Sequence, residues 1–304
     1  MLRTNALQLG LSETYRMSFT GESDIAAVQA RTAATRAALT AGVRIVDEHE
    51  MDRFRDIDDL FKSVWGVSSA GRPIPAELLR SMTHGGAIVT AAYDADGSLC
   101  GAAVLIGSAT DSSVYSLITG VLPRTIARGV GFAIKQHQRA AALERGIDRM
   151  LWTFDPLVSR NARFNLTKLG ASTTQYVDNF YGQMQGSINA NDESDRLVAT
   201  WQLNSERTIA ASEGNVREFH LPAFATSEVR ALGPDDEPVL VEAPDSFWCR
   251  VPRDIVALRQ QNPELAAAWR GCIRTALSTA FASGHGASWV SRDGWYRLTQ
   301  GDEQ

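Results

Sequence analysis

The stretch best suited to chemistry is Arg128-Gly129-Val130-Gly131, where two glycines flank one apolar residue at the junction between a loop and a helix. It lies inside a longer run, Thr119-Gly120-Val121-Leu122-Pro123-Arg124-Thr125-Ile126-Ala127 before it and Phe132-Ala133-Ile134-Lys135 after it, that reads as strand end, turn and helix start. Glycine has no Cβ, so a ligand can approach the backbone closely. The first N–H groups of a helix lack intrahelical partners and favour an anion. The chemistry implied is a diphosphate cradle. A plain strand-to-helix connection built from small residues fits the segment alone equally well.

The remaining reactive residues are scattered. Cys100, Cys249 and Cys272 are far apart and form no CxxC pair, so no disulfide framework or zinc site is indicated, and no metal is expected. No GxSxG motif supports a hydrolase. His84 and His137 stand alone, and lone histidines on helices are mostly structural. Formal charge is −5 and no basic block stands out, which excludes nucleic acid as an expected partner. The charges from Arg139 to Arg145 read as the solvated face of a helix. Neither a signal-like apolar run in residues 1–20 nor a span of about 18 apolar residues is present. A cytoplasmic, reducing setting with no membrane partner is therefore expected.

The elements that must position the cradle follow from periodicity. Residues 1–22 read as a tail or capping segment, and Asp24 to Leu39 as an Ala-rich helix. A strand is expected over 43–46. Met51 to Trp65 is an amphipathic helix with Met51, Phe54, Ile57, Leu60, Phe61 and Val64 at 3–4 spacing. A Gly/Pro/Ser loop over 66–75 precedes a short helix over 75–83. A three-strand meander occupies 87–93, 99–106 and 114–122, its first turn Asp94-Ala95-Asp96-Gly97. The long helix after Gly131 ends near Gly146, and Ile147 to Phe154 is a strand, giving a β-α-β unit with a parallel pair. A short helix covers 161–169, strands cover 172–177 and 197–203, and the polar loop 178–195 between them is long enough to be functional. Glu206 to Gly214 breaks the composition. Beyond it, strands at 216–221, 239–242 and 247–251, helices at 253–260 and 264–283, and a hairpin of 287–290 with 295–298 form a small α+β unit.

The order of elements over residues 87–171 resembles the GNAT superfamily of acyl-CoA N-acyltransferases. Its Gln/Arg-x-x-Gly-x-Gly/Ala motif aligns with Ile126-Ala127-Arg128-Gly129-Val130-Gly131, departing only at Ile126. Asn161-Ala162-Arg163-Phe164-Asn165-Leu166-Thr167-Lys168-Leu169-Gly170-Ala171 looks like the superfamily's helix with an Asn start and a Lys-x-Gly end, except that Leu166 stands where many members carry the Tyr that protonates the departing thiolate. Trp152-Thr153-Phe154-Asp155-Pro156-Leu157, the Asn165–Gly170 run and Asn179-Phe180-Tyr181-Gly182 resemble a two-domain bacterial subgroup of predicted GNAT enzymes, some of them associated with N-succinylation of amino acids.

The resemblance implies a mixed α/β (α+β) fold: a GNAT-like twisted mixed sheet flanked by helices, with a smaller C-terminal α+β domain. The divisions are an N-terminal helical segment (1–42), an acyl-CoA-binding domain (43–204) and a C-terminal domain (215–304) that covers the acceptor pocket or makes a homodimer contact. Two parallel strands would splay into a slot for the pantetheine arm of acetyl-CoA or another acyl-CoA, such as succinyl-CoA. The arm would pair with Gly120, Val121 and Leu122. The diphosphate would sit on Arg128, Gly129, Val130, Gly131 and Phe132, with Asn161 nearby. An N–H near Val121 or Leu122 would stabilise the oxyanion. Asp155 and Tyr181 are the expected proton-transfer residues, Asp155 being equally readable as an Asp-Pro turn residue and Tyr181 as a packed loop aromatic. Arg160 and Arg163 could meet CoA phosphates or a substrate carboxylate, or simply lie at the surface. The function implied is transfer of an acetyl or succinyl group to a small amine or amino acid. The alternative is a GNAT-fold acyl-CoA-binding protein that does not turn over.

Overall fold

The computed structural model describes residues 21–65, 73–182, 192–220 and 227–301. The expected N-terminal tail apart from its last two residues, positions 66–72 of the Gly/Pro/Ser loop, the middle of the polar loop (183–191) and the end of the 216–221 strand lie outside the described residues.

Seven strands build the first sheet: β1 (Arg44–Asp47), β2 (Ile88–Tyr93), β3 (Leu99–Gly107), β4 (Ser113–Val121), β5 (Arg149–Phe154), β6 (Tyr176–Val177) and β7 (Arg196–Gln202). Their spatial order is β1-β2-β3-β4-β5-β7-β6. Every pairing is antiparallel except β4 with β5. Both faces of the meander are covered, and its small residues alternate accordingly. Ala91, Ala102 and Val104 face α2 (Met51–Trp65) and α3 (Ala76–His84), packing on Phe54, Ile57, Phe61 and Leu79. Ala92, Cys100 and Ala103 face the other way, onto Val130, Ala133 and Ile134 of α4 (Val130–Leu143).

Helix α1 (Gly21–Ala41) lies along α4 through buried Ala26, Ala30, Ala33, Ala34, Ala37 and Ala41. This overturns the expected solvated face at Arg139. Lys135, Gln136, Gln138 and Arg139 are all buried because α1 covers one side of α4 and the sheet the other. Arg139 Nε donates to Leu203 O at 2.6 Å instead of reaching water. Only Glu144 and Arg145, at the end of the run, are exposed, and Glu144 accepts from Arg31 of α1. His137 is structural: its ring nitrogens meet Asp47 Oδ1 at 2.9 Å and Arg31 Nη1 at 3.2 Å, tying α4 to β1 and α1.

The chain continues through α5 (Ser159–Arg163), a π-helical turn over Phe164–Lys168, and α6 (Glu206–Ser212), which occupies the composition break and is capped by Ser205. The second sheet is wholly antiparallel, in the order β11-β12-β10-β9-β8. Its strands are β8 (Glu228–Leu232), β9 (Pro238–Ala243), β10 (Ser246–Arg250), β11 (His285–Val290) and β12 (Trp295–Gln300), with α7 (Ile255–Gln261) and α8 (Pro263–Ala282) between β10 and β11. Two expectations shift here. The strand foreseen over 172–177 contracts to β6 plus isolated bridges at Ser172 and Thr173. The edge strand foreseen at 216–221 is not formed by 216–220; Glu228–Leu232 supplies it. Thr173 and Ala287 exchange two backbone bonds of 2.8 Å, so the sheets are stitched together.

Candidate active site

The site begins where strand pairing stops. The β4–β5 ladder pairs Ser113 with Arg149, Val114 with Met150 and Tyr115 with Leu151, and then ends. Strand β5 continues on its other edge, with β7, to Phe154. Strand β4 continues with β3 to Val121, but bulged: Leu105 opposes Ser116 and Val104 opposes Ile118, leaving Leu117 unopposed. A bulge bends its strand and re-aims its edge. The result is a gap between β4 and β5 that opens towards the N-terminus of α4.

Register decides which backbone groups face this gap. Leu122 N–H donates to Cys100 O at 3.0 Å, so Leu122 points at β3. Alternate residues of a strand direct both backbone groups to opposite edges. Gly120 therefore also faces β3, whereas Thr119 and Val121 face the gap. This corrects the expectation for Gly120 and Leu122: of the three residues foreseen, Val121 alone offers its N–H and C=O to the gap. Thr119 adds a buried Oγ1 with no hydrogen-bond partner. Gly120 is required for another reason. A Cβ there would lie 2.8 Å from Trp65 Cζ3 and 3.1 Å from Phe61 Cδ1, so the bare backbone lets these α2 rings lie against β4.

The chain then turns through a 3-10 helix over Pro123–Arg128 and enters α4 at Gly129, whose φ of +84° is left-handed. No side chain caps this end. The first N–H groups of α4, on Val130, Gly131 and Phe132, are left for an external acceptor, since the first backbone bond into the helix is Ala133 N to Gly129 O. The macrodipole adds about 0.3–1 kcal/mol in favour of negative charge there. At Gly131 a Cβ would lie 3.6 Å from Val121 Cγ2 and 4.0 Å from Phe164 Cζ, so the helix start, the end of β4 and the π-turn border one hollow. Asn161, three residues before Phe164, is exposed in the middle of α5. Arg128 contributes no guanidinium here. Its Nη2 donates to Ala41 O and Gly42 O at 3.2 Å, capping the end of α1.

On the α2 side of the sheet, a hydroxyl cluster stands at the apex of the gap. Tyr115 closes the β4–β5 ladder, and Thr153 lies two residues beyond its partner Leu151, on the same face. Tyr181 reaches in from the long loop, its hydroxyl 3.3 Å from Thr153 Oγ1. Burial raises the Tyr115 phenol above its usual range, partly offset by a bond to Thr153. Arg196 of β7 lies over the Tyr181 ring, 5.2 Å from the centroid, and donates to Asp195 O at 2.8 Å. Burial holds the Arg196 guanidinium below its usual pKa. Tyr181 is half exposed, so it meets solvent as well as the cluster.

Asp155 is not with Tyr181. Its Oδ1 accepts from Leu157 N at 2.9 Å, and its Oδ2 from Arg259 at 2.6 Å and Arg270 at 3.4 Å. Both oxygens are engaged in a buried ion network, so the structure places Asp155 as a structural anchor, and the Asp-Pro turn reading prevails. Asp192 joins the same arginines, and Asp195 accepts from Arg274 and from Tyr176 Oη. Thus α7 and α8 hold the far end of the loop that carries Tyr181. Arg163 pairs with Glu218 at 2.6 Å and with Val290 O at 2.8 Å, a tie between domains rather than a ligand contact, while Arg160 is exposed. Leu166 is fully buried in the main core. His84 is exposed at the end of α3. Sequence reasoning missed Tyr115, Thr153 and Arg196. Tyr115 and Thr153 had a signal, since both lie on the two strands expected to splay; Arg196 had none, because its place depends on what packs over it.

No group of His, Cys, Asp and Glu residues able to hold a metal is found among the described residues, and no described helix is long and apolar enough to cross a membrane. No family model and no curated protein matches the chain in sequence. Solved structures of GNAT-family acetyltransferases are similar to it over about half its length. An N-acetyltransferase from Staphylococcus aureus Mu50 is 11% identical with a TM-score of 0.45, covering 53% of this chain and 98% of that one. A GCN5-related N-acetyltransferase from Kribbella flavida is 21% identical with a TM-score of 0.43, covering 53% and 98%. The ribosomal-protein-S18-alanine N-acetyltransferase from Escherichia coli is 13% identical with a TM-score of 0.43, covering 54% and 95%.

Proposed function

We propose that this chain is an acyl-CoA-dependent N-acyltransferase that moves a small acyl group to the amine of a small molecule. One observation carries the reading: the parallel ladder ends at Tyr115 and Leu151, and the β4 edge beyond it leads directly to the uncapped start of α4. An extended arm pairing with Thr119 and Val121 would deliver a diphosphate to the N–H groups of Val130, Gly131 and Phe132. These residues suit acyl-CoA, whose thioester supplies the activated acyl group, and acetyl-CoA and succinyl-CoA are the donors to test.

Val121 N–H lies on the edge where a thioester carbonyl would sit and would stabilise the oxyanion. The amine nitrogen forms its bond to the acyl carbon as the carbon–sulfur bond breaks. The sulfur leaves with the electron pair of that bond. Tyr181, within reach of Thr153 and open to solvent, protonates the thiolate, and the proton lost from nitrogen returns through solvent to the Tyr181 phenolate. Tyr181 thereby takes the role foreseen for it, in place of the Tyr missing at Leu166.

Thermal shift with CoA, acetyl-CoA and succinyl-CoA in parallel tests the binding half. A ligand at a hundredfold excess over its Kd raises apparent stability by about 2.7 kcal/mol. No shift with any of the three sinks the assignment. Free-thiol release from acyl-CoA with a panel of amines tests the transfer half. The burial of Leu166 favours a second reading, a binder without turnover. A CoA shift with no thiol release on a broad panel would select it.

A further inference from the structure

We propose that Lys135 is the positioning residue that fixes the separation of β4 and β5 where they part, and with it the width of the pantetheine slot. The inference rests on the acyl-CoA reading above for its ligand, but on strand geometry for its substance. The last paired residues are Tyr115 and Leu151. The next residue on each strand, Ser116 and Trp152, is engaged by the same side chain. Lys135 Nζ donates to Ser116 Oγ at 2.7 Å and lies 4.0 Å from the centroid of the Trp152 ring. One lysine of α4 thus bonds to both strands at the point where they part, from the face opposite the Tyr115–Thr153–Tyr181 cluster.

The lysine is built in. It is 3% exposed, and Ser116 Oγ passes the bond on to Gln138 Oε1 at 3.1 Å. Its neighbours on α4 are Gln136, Gln138 and Arg139, all buried. A buried amino group costs free energy that an apolar residue would avoid. An aliphatic side chain at position 135 could fill the same space, but it would bond neither strand. Ser116 would lose its donor and Trp152 the amino group over its ring, and nothing polar would fix the two edges at their present separation.

The experiment separates the slot from the cradle. Affinities for CoA and for 3′-phosphoadenosine 5′-diphosphate, which keeps the diphosphate and lacks the pantetheine arm, are measured by calorimetry on wild type, Lys135→Met and Ser116→Ala. The geometry predicts about a tenfold loss of CoA affinity in Lys135→Met with the nucleotide unchanged, and a smaller loss with the same selectivity in Ser116→Ala. Equal losses for both ligands would mean that Lys135 supports α4 generally, and unchanged CoA affinity that it supports nothing; either overturns the proposal. A wild type that binds neither ligand overturns the cradle instead. Hydrogen exchange without ligand then tests the separation: Lys135→Met alters exchange over residues 117–121 as the two edges shift, and unaltered exchange there refutes it. Ser116→Ala supplies the same exchange readout should Lys135→Met not fold.

Discussion

The two sheets contain similar parts and differ in one respect. The five-stranded C-terminal sheet is antiparallel throughout, with α7 and α8 inserted before its last hairpin. The seven-stranded sheet has one parallel pair, and that pair fails after Tyr115 and Leu151. Backbone groups at Thr119 and Val121 are free for a ligand only because β5 has turned away. The C-terminal sheet has no parallel pair, and the helices inserted in it, α7 and α8, supply a grip. Arg259 and Arg270 reach Asp155 at the end of β5 and Asp192 on the loop that carries Tyr181.

The largest expected effect breaks the grip. Arg270→Met removes bonds to Asp192 and Asp155 and leaves buried carboxylate charge undercompensated, at a cost of about 3–5 kcal/mol. Urea unfolding measures it; a loss under about 1 kcal/mol would show that the second sheet is only a neighbour. Next is the cradle. Gly131→Glu meets only ordinary contacts at its Cβ, so the protein folds, yet it places a carboxylate at the proposed diphosphate site. CoA affinity falls by more than a hundredfold, about 2.7 kcal/mol, and a folded variant of unchanged affinity refutes the placement. Tyr181→Phe acts on turnover alone, lowering kcat by about a hundredfold at constant CoA affinity. An equal kcat would return the acid to some other group.

The smallest effect is read as a slope. Burial lowers the Lys135 pKa from its ordinary 10.5 to about 7. Between those values the unfolded chain binds the extra proton, so stability rises with pH across this window, by at most about 1.4 kcal/mol per pH unit. Lys135→Met abolishes that slope in denaturant midpoints taken at pH 7, 8 and 9. Parallel slopes in the two proteins would place the ammonium in water rather than under the gap.

Much of the frame was legible in the residues. The meander, the turn at Asp94–Gly97 and the long helix after Gly131 follow from periodicity and glycine placement, which are local properties. The uncapped start of α4 was legible for the same reason, since it is a matter of adjacent residues. Polar side chains were less legible. Asp155, Arg163 and His137 are candidate reactive groups by type, and each is committed to a partner far along the chain. Lys135 and Arg139 are charged residues at helical spacing, and nothing in that spacing foretells α1 lying over them.

What the sequence by itself determined is therefore the order of elements, the parallel β-α-β crossover and the anion-seeking turn at Gly129–Gly131. Tertiary structure alone decided three things: that Val121 rather than Gly120 or Leu122 faces the gap, that Tyr181 rather than Asp155 stands at its apex, and that a lysine sits beneath it. The physical reason is common to all three. Strand register, burial and ion pairing are set by residues distant in sequence, and they determine which polar groups are already satisfied and which are left to bind.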